Sequence, residues 1–167
     1  MDAWRELYRL AARQHRCVTV WQTDEIGLAR RTLENRARRE HWERPYRGVL
    51  VVPGAPRSYA QEVGAALLST RPPGVAACEA AAPLHYLVTK PARPVPVAVR
   101  DGRHRRAQPG RRLLRPSGLL PLDVRAVDRL DVTSPVWTLC DLAYVLSDAG
   151  LAQAIATADR LRLATLS

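Results

Sequence analysis

Gly27 separates two stretches of helical periodicity, and the residues around it leave few folds open to the first fifty positions. Ahead of it, Thr19-Val20-Trp21-Gln22 sets a hydroxyl three residues before a side chain that can reach back to the threonine amide. That is the capping-box pattern that opens a helix, so a short helix is expected from Val20 to Ile26. Glycine ends such a helix because it takes the left-handed backbone at least cost, and Leu28 is expected to tuck into the core of the turn. A second helix is then expected from Ala29 to Glu40, with Leu33 and Ala37 inward at i, i+4 and Arg30, Arg31, Glu34, Asn35 and Arg38 outward.

The flanks extend this pattern. From Asp2 to His15, Trp4, Leu7, Tyr8 and Ala11 fall on one apolar stripe, while Arg5, Arg9 and Arg13 line another face. After the second helix, residues 41–47 and 49–52 read as two strand-like runs broken at Gly48, the shape of a β-wing. Residues 1–54 therefore read as a winged helix-turn-helix whose second helix enters the major groove of double-stranded DNA. Arg30, Arg31, Glu34, Asn35 and Arg38 are the candidate contacts on that helix, and Arg44 and Arg47 those on the wing. Arg5 and Arg9 are candidate phosphate contacts, which position a protein without reading sequence. The rival reading is a three-helix structural module whose arginines only solvate its surface.

Charge points the same way. The chain has 167 residues, a formal net charge of +10 and a sequence pI of about 10.7, and Lys90 is its only lysine. Arginine forks onto phosphates and base edges and is never neutral, so a basic excess of this kind suits a polyanion. Residues 1–54 carry eleven arginines against seven acids, and residues 90–116 carry nine Lys+Arg against Asp101 alone. The second region, with Gly and Pro punctuation, reads as a hairpin or loop, and Arg103, Arg105 and Arg106 are its candidate phosphate contacts. A solvated loop and an RNA-binding module over 100–115, acting by shape and backbone, are the other readings of it.

Several classes are excluded or disfavoured. With 47% apolar residues the chain is not disordered overall. No apolar run approaches the roughly 18 residues of a membrane span, and the first sixteen residues lack the unbroken apolar core of a signal peptide. A cytoplasmic, nucleoid-associated protein is expected. Cys17, Cys78 and Cys140 stand about sixty residues apart, which suits neither a disulfide framework nor a zinc site, so buried reduced thiols are expected. Lys90 lacks the acidic partner two positions ahead that a restriction-type nuclease needs, the four histidines read as surface or helix-end residues, and no glycine-rich phosphate loop occurs. Cys78, Glu79 and His85 make at best a forced nucleophile and base. Neither catalytic residues, a metal nor a cofactor is expected.

Residues 53–58, Pro-Gly-Ala-Pro-Arg-Ser, break the composition, so a linker is placed at 55–58 and a second, α+β domain at 59–167. Helices are expected over 59–69, 79–87 and 136–146 and from about 148 to 160, and strands over 95–99, 111–115, 124–127 and 130–132. Ser134-Pro135 is a strong helix start. The expected fold class is α+β, an N-terminal winged helix-turn-helix followed by a small mixed α/β domain.

Three blocks give the chain a resemblance: 27–33 (Gly-Leu-Ala-Arg-Arg-Thr-Leu), 46–54 (Tyr-Arg-Gly-Val-Leu-Val-Val-Pro-Gly), and 132–143, from Val-Thr-Ser-Pro to Thr-Leu-Cys-Asp-Leu-Ala. With the opening helix, they resemble the AbiEi-type antitoxins of type IV toxin–antitoxin systems, in the actinobacterial branch and over nearly the whole chain. The resemblance implies a winged helix on operator DNA, a following antitoxin domain, repression of the chain's own operon and a nucleotidyltransferase-type toxin as partner. It departs from the pattern at Ala29, where serine is usual, and at Trp137, where arginine is common, and it matches the short form without a nuclease-like C-terminal domain. The expected function is a sequence-specific autorepressor, homodimeric on DNA. The alternative is a protein-binding antitoxin or adaptor acting through residues 59–167.

Overall fold

The computed structural model describes residues 2–100 and 106–163. The fold is α+β, in two compact units, Met1–Pro73 and Gly74–Ser167.

The first unit opens with α1 (Ala3–Arg13), capped by the Asp2 carboxylate, which accepts the Trp4 N–H at 3.0 Å. A turn at His15 and Arg16, both in the left-handed region, leads to β1 (Cys17–Thr19). Next come α2 (Gln22–Glu25), α3 (Arg30–Arg39), β2 (Glu43–Tyr46) and β3 (Val49–Val51). The three strands form an antiparallel sheet in the order β1-β3-β2, with Val18 opposite Leu50. Leu7, Ala11, Val18, Leu28, Leu33, Ala37, Trp42 and Leu50 form the core, so the apolar stripes of α1 and α3 meet over the sheet as their periodicity requires.

β1 differs from the sequence expectation, which began a helix at Val20. The Val20 N–H donates to the Gly48 carbonyl at 2.9 Å, and that pairing draws residues 17–20 alongside β3 and shortens the helix. β1 is buried at all three positions, so it carries no alternation to reveal it.

Ser58 caps α4 (Tyr59–Leu68), its hydroxyl accepting the Gln61 N–H at 3.1 Å. α4 packs on β1, β2 and β3, and its Gln61 amide donates to the His15 carbonyl at 3.0 Å. The compact unit therefore runs on to Pro73, past the 55–58 break. Composition marks that break as a linker, but α4 buries Val63, Ala65, Ala66 and Leu67 and needs a surface to cover them.

The second unit is built on a mixed sheet of β4 (Val75–Ala76), β5 (Val95–Ala98), β6 (Arg111–Leu114), β7 (Val124–Val127) and β8 (Leu130–Thr133), in the order β6-β5-β4-β8-β7. β4/β5 and β7/β8 are antiparallel, β4/β8 and β5/β6 parallel. A 3-10 turn at Cys78–Ala80 leads into α5 (Ala81–Leu84). α6 (Pro135–Leu142) starts on Ser134 with Pro135 at its first position, and α7 (Asp148–Arg160) starts on Ser147. Ala82, Leu87, Leu142, Ala154 and Ala158 form one apolar cluster, and Val75, Ala77, Ala98 and Leu119 with Trp137 form another. No described helix is long and apolar enough to cross a membrane.

Candidate nucleic-acid interface

α3 buries Leu33 and Ala37 and exposes Arg31, Asn35, Arg38 and Arg39. At about 3.6 residues per turn, Arg31, Asn35 and Arg38 fall on the side opposite the buried pair. This row is exposed to solvent.

On one flank of the row, Arg30 Nε donates to Glu34 Oε1 at 2.9 Å. That hydrogen bond holds the Glu34 carboxyl below its usual range, and the charges of Arg30, Arg44 and Arg38 add to it. Glu34 thus lies in the field of both the helix and the wing, and it pairs with Arg30 along the helix. Arg44 is exposed on β2, and Arg47 is exposed in the turn beside Gly48. Gly48 has φ +78°, and a Cβ there would come within 2.8 Å of the Trp21 ring, so only glycine lets the wing turn settle onto that indole.

The other flank holds a residue that the sequence did not single out. The Arg36 guanidinium stacks over the Trp4 ring, 4.4 Å from its centroid, and lies 5.7 Å from that of Tyr8. Its Nε donates to Glu40 Oε1 at 2.7 Å, and Glu40 Oε2 accepts the Trp42 indole N–H at 3.0 Å. The hydrogen bonds from Trp42 and then Arg36 hold the Glu40 carboxyl below its usual range. Arg36 therefore ties α3 to α1. Its signal in the sequence is the aromatic pair Trp4 and Tyr8 at i, i+4 on α1, which the structure leaves half-buried, but the identity of the partner on α3 is set by packing. Two hollows lie beside this stack. One, of about 680 Å³, is lined by Trp4, Arg5, Tyr8, Arg9 and Arg36, and the other, of about 410 Å³, by Trp4, Thr32, Asn35, Arg36 and Arg39. Arg5 is exposed, and Arg9 pairs with Glu6 at 3.1 Å.

In the second basic region, Arg103 and Arg105 lie outside the described residues, and Arg106 is exposed. Arg111 is buried and donates to the Arg106 carbonyl at 3.1 Å, while Arg112 pairs with Glu79 at 2.5 Å. Two arginines of that run are thus engaged with the protein itself.

Burial pushes the Cys78 thiol up to about 12, and Glu79 beside it works in the same direction, so the thiolate that a nucleophile needs is absent at neutral pH. His85 is not a surface residue. It is buried, and its Nε2 lies 2.7 Å from the Thr133 carbonyl oxygen. Burial also raises the Asp141 pKa, although the carboxylate accepts hydrogen bonds from the Cys78 backbone and the Trp137 side chain. Asp141 therefore joins α6 to the turn at Cys78. Cys17 and Cys78 are buried free thiols as expected, whereas Cys140 is exposed because it faces away from the cluster that α6 covers.

A short helix, a glycine turn, an outward-facing row of Arg and Asn on the next helix and a β-wing closing a three-stranded sheet define a winged helix-turn-helix, a class of DNA-binding regulator domain. Residues 5–53 match the model of a family described as "Transcriptional regulator, AbiEi antitoxin". The match runs from α1 to the residue pair that follows β3, so it covers the winged helix, the block at 27–33 and all but Gly54 of the block at 46–54. The block at 132–143 lies beyond it. No curated protein matches the chain.

Proposed function

We propose that the protein is an antitoxin-type autorepressor that reads operator DNA with Arg31, Asn35 and Arg38 of α3. The observation that carries this reading is the exposure of those three side chains opposite Leu33 and Ala37, on a helix held against α1. Arginine forks onto guanine and asparagine onto adenine in the major groove, so such a row can discriminate base pairs. Arg30, paired with Glu34, and Arg44 and Arg47 on the wing contact phosphates, as do Arg5 and Arg9. A single module buries only about 600–1,000 Å² on DNA, so the working form is a homodimer on a repeated or palindromic site. The partner of the second unit is a nucleotidyltransferase-type toxin. Supporting that part of the reading, Leu120, Leu122 and Val136 remain exposed, and the Ser134 N–H to Asp123 carbonyl bond brings their two segments together. The protein acts in the cytoplasm, on the nucleoid.

The test is a mobility-shift titration on the chain's own upstream DNA and on a scrambled duplex of equal length, at two salt concentrations. A preference of at least about 10³ for the upstream DNA is expected. Equal, steeply salt-dependent binding to both duplexes overturns the reading, because charge alone would then account for it.

A further inference from the structure

A groove runs along α1 and α3, and the contacts assigned above leave Thr32 and Arg39 of its α3 side unused. Its two hollows share a wall, the Trp4 indole with the Arg36 guanidinium stacked on it. We propose that this groove carries the sugar–phosphate backbone of one strand of the duplex, with Arg39 and Arg5 as phosphate ligands, the Thr32 hydroxyl as a further donor and the Trp4 wall against the deoxyribose. The proposal rests on the reading of α3 as the helix that enters DNA.

Three observations favour this occupant. The first is continuity. Asn35 belongs both to the outward row of α3 and to the lining of the smaller hollow, so a strand whose bases meet Arg31 and Asn35 has its backbone beside Thr32 and Arg39. The second is charge. Arg5, Arg9, Arg36 and Arg39 line the two hollows against Asp2 as the one acid in their lining, which suits a polyanion and repels a basic surface such as the same face of a second copy. The third is readiness. Arg36 is held by Trp4, Tyr8 and Glu40, so the wall is set before binding and costs no ordering. Arg39, by contrast, reaches Glu40 only at 3.9 Å and has a 78% exposed side chain, so it is available to a phosphate oxygen.

The experiment compares wild type, Arg39→Ala, the double variant Arg5→Ala/Arg39→Ala and Asn35→Ala on the upstream and scrambled duplexes over a salt series. Removing one phosphate ligand is expected to lower the slope of log K against log salt by about 0.9. The double variant should therefore show a slope smaller by close to two on both duplexes, with its preference between them kept, while Asn35→Ala loses preference with little change in slope. Acrylamide quenching of the full chain, read as wild type minus Trp4→Phe, should fall when duplex is added. An unchanged slope in Arg39→Ala, while wild type binds and Asn35→Ala loses preference, overturns the groove proposal alone. Failure of wild type to bind either duplex overturns instead the DNA reading beneath it. Shielding of Trp4 by raised protein concentration without DNA gives the groove to a second copy and also overturns the proposal. If Trp4→Phe does not fold, the slopes decide by themselves.

Discussion

Thr19 and Gln22 cap one another: the Thr19 N–H donates to Gln22 Oε1 at 2.9 Å, and the Gln22 N–H donates to Thr19 Oγ1 at 3.4 Å. Gln22 also exchanges amide hydrogen bonds with Gln14, at 2.8 and 3.2 Å, so one side chain joins β1, α2 and the end of α1. Thr19→Ala should cost about 1 kcal/mol in urea unfolding, with Thr19→Ser recovering most of it. Gln22→Ala leaves the buried Thr19 amide without this acceptor and should cost about 1–3 kcal/mol. Equal stability of Gln22→Ala and wild type would contradict the junction.

The two turn glycines should respond differently to alanine. Gly27 has φ +70° with nothing within 4 Å of a built Cβ, so Gly27→Ala should cost only the backbone term of about 1–2 kcal/mol. Gly48 adds to a φ of +78° the 2.8 Å approach to Trp21. Thermal unfolding should therefore rank Gly48→Ala below Gly27→Ala, and the near-ultraviolet signal of Trp21 should shift only in the former.

Base-reading and phosphate-contacting residues should separate in binding assays. Arg31→Ala and Asn35→Ala should each cut the preference for upstream over scrambled DNA roughly 5- to 150-fold, the worth of about 1–3 kcal/mol for a bidentate base contact. Arg44→Ala and Arg47→Ala should weaken both duplexes alike and lower the salt slope by about one each. Unchanged preference in Arg31→Ala and Asn35→Ala together would remove α3 from the reading role.

His85 makes the second unit sensitive to acid. Burial lowers its pKa below the ordinary 6.5, the Arg125 charge acts in the same direction, and the Thr133 carbonyl opposes both. Folding thus favours the neutral ring, and as pH falls the unfolded chain takes up the proton first. The stability that His85 contributes is complete above about pH 6.5 and is lost progressively below it. Urea midpoints of wild type should fall between pH 7.5 and pH 5.5 more steeply than those of His85→Gln, which keeps a donor near Thr133 and does not titrate. Parallel pH profiles would exclude His85 as the source.

Thiol reactivity should follow burial. Cys140 is exposed, whereas burial pushes both Cys17 and Cys78 up to about 12. One thiol should therefore react with a chromogenic disulfide reagent in the native protein and three in denaturant. Rapid reaction of two or three native thiols would contradict the placement of Cys17 and Cys78.

Local signals account for what could be read in advance. The Thr19 and Gln22 cap, the Ser134-Pro135 start of α6, the glycine at the wing turn and the inward pair Leu33 and Ala37 each depend on residues a few positions apart. Such pairs are written into the chain before it folds, because caps, turns and helical faces are local physics. The candidate site was legible to the same extent. Arg31, Asn35 and Arg38 are outward on α3 because Leu33 and Ala37 are inward, but the role of Arg36 as a tie to Trp4 could not be read from α3 alone.

Residues a few positions apart thus set where most helices start and stop, which face of α3 turns outward and that its surface is cationic. Packing between distant segments, by contrast, makes Cys17–Thr19 a strand, since its identity comes from pairing with Val49–Val51. The same holds for Val75–Ala76, two residues that become β4 only between β5 and β8. It also decided that α4 completes the first unit despite the Pro and Gly break before it, and that His85 is buried against Thr133. In each case the partner lies far along the chain, and a contact between distant segments is settled by which surfaces can be buried together, a property of the packed whole.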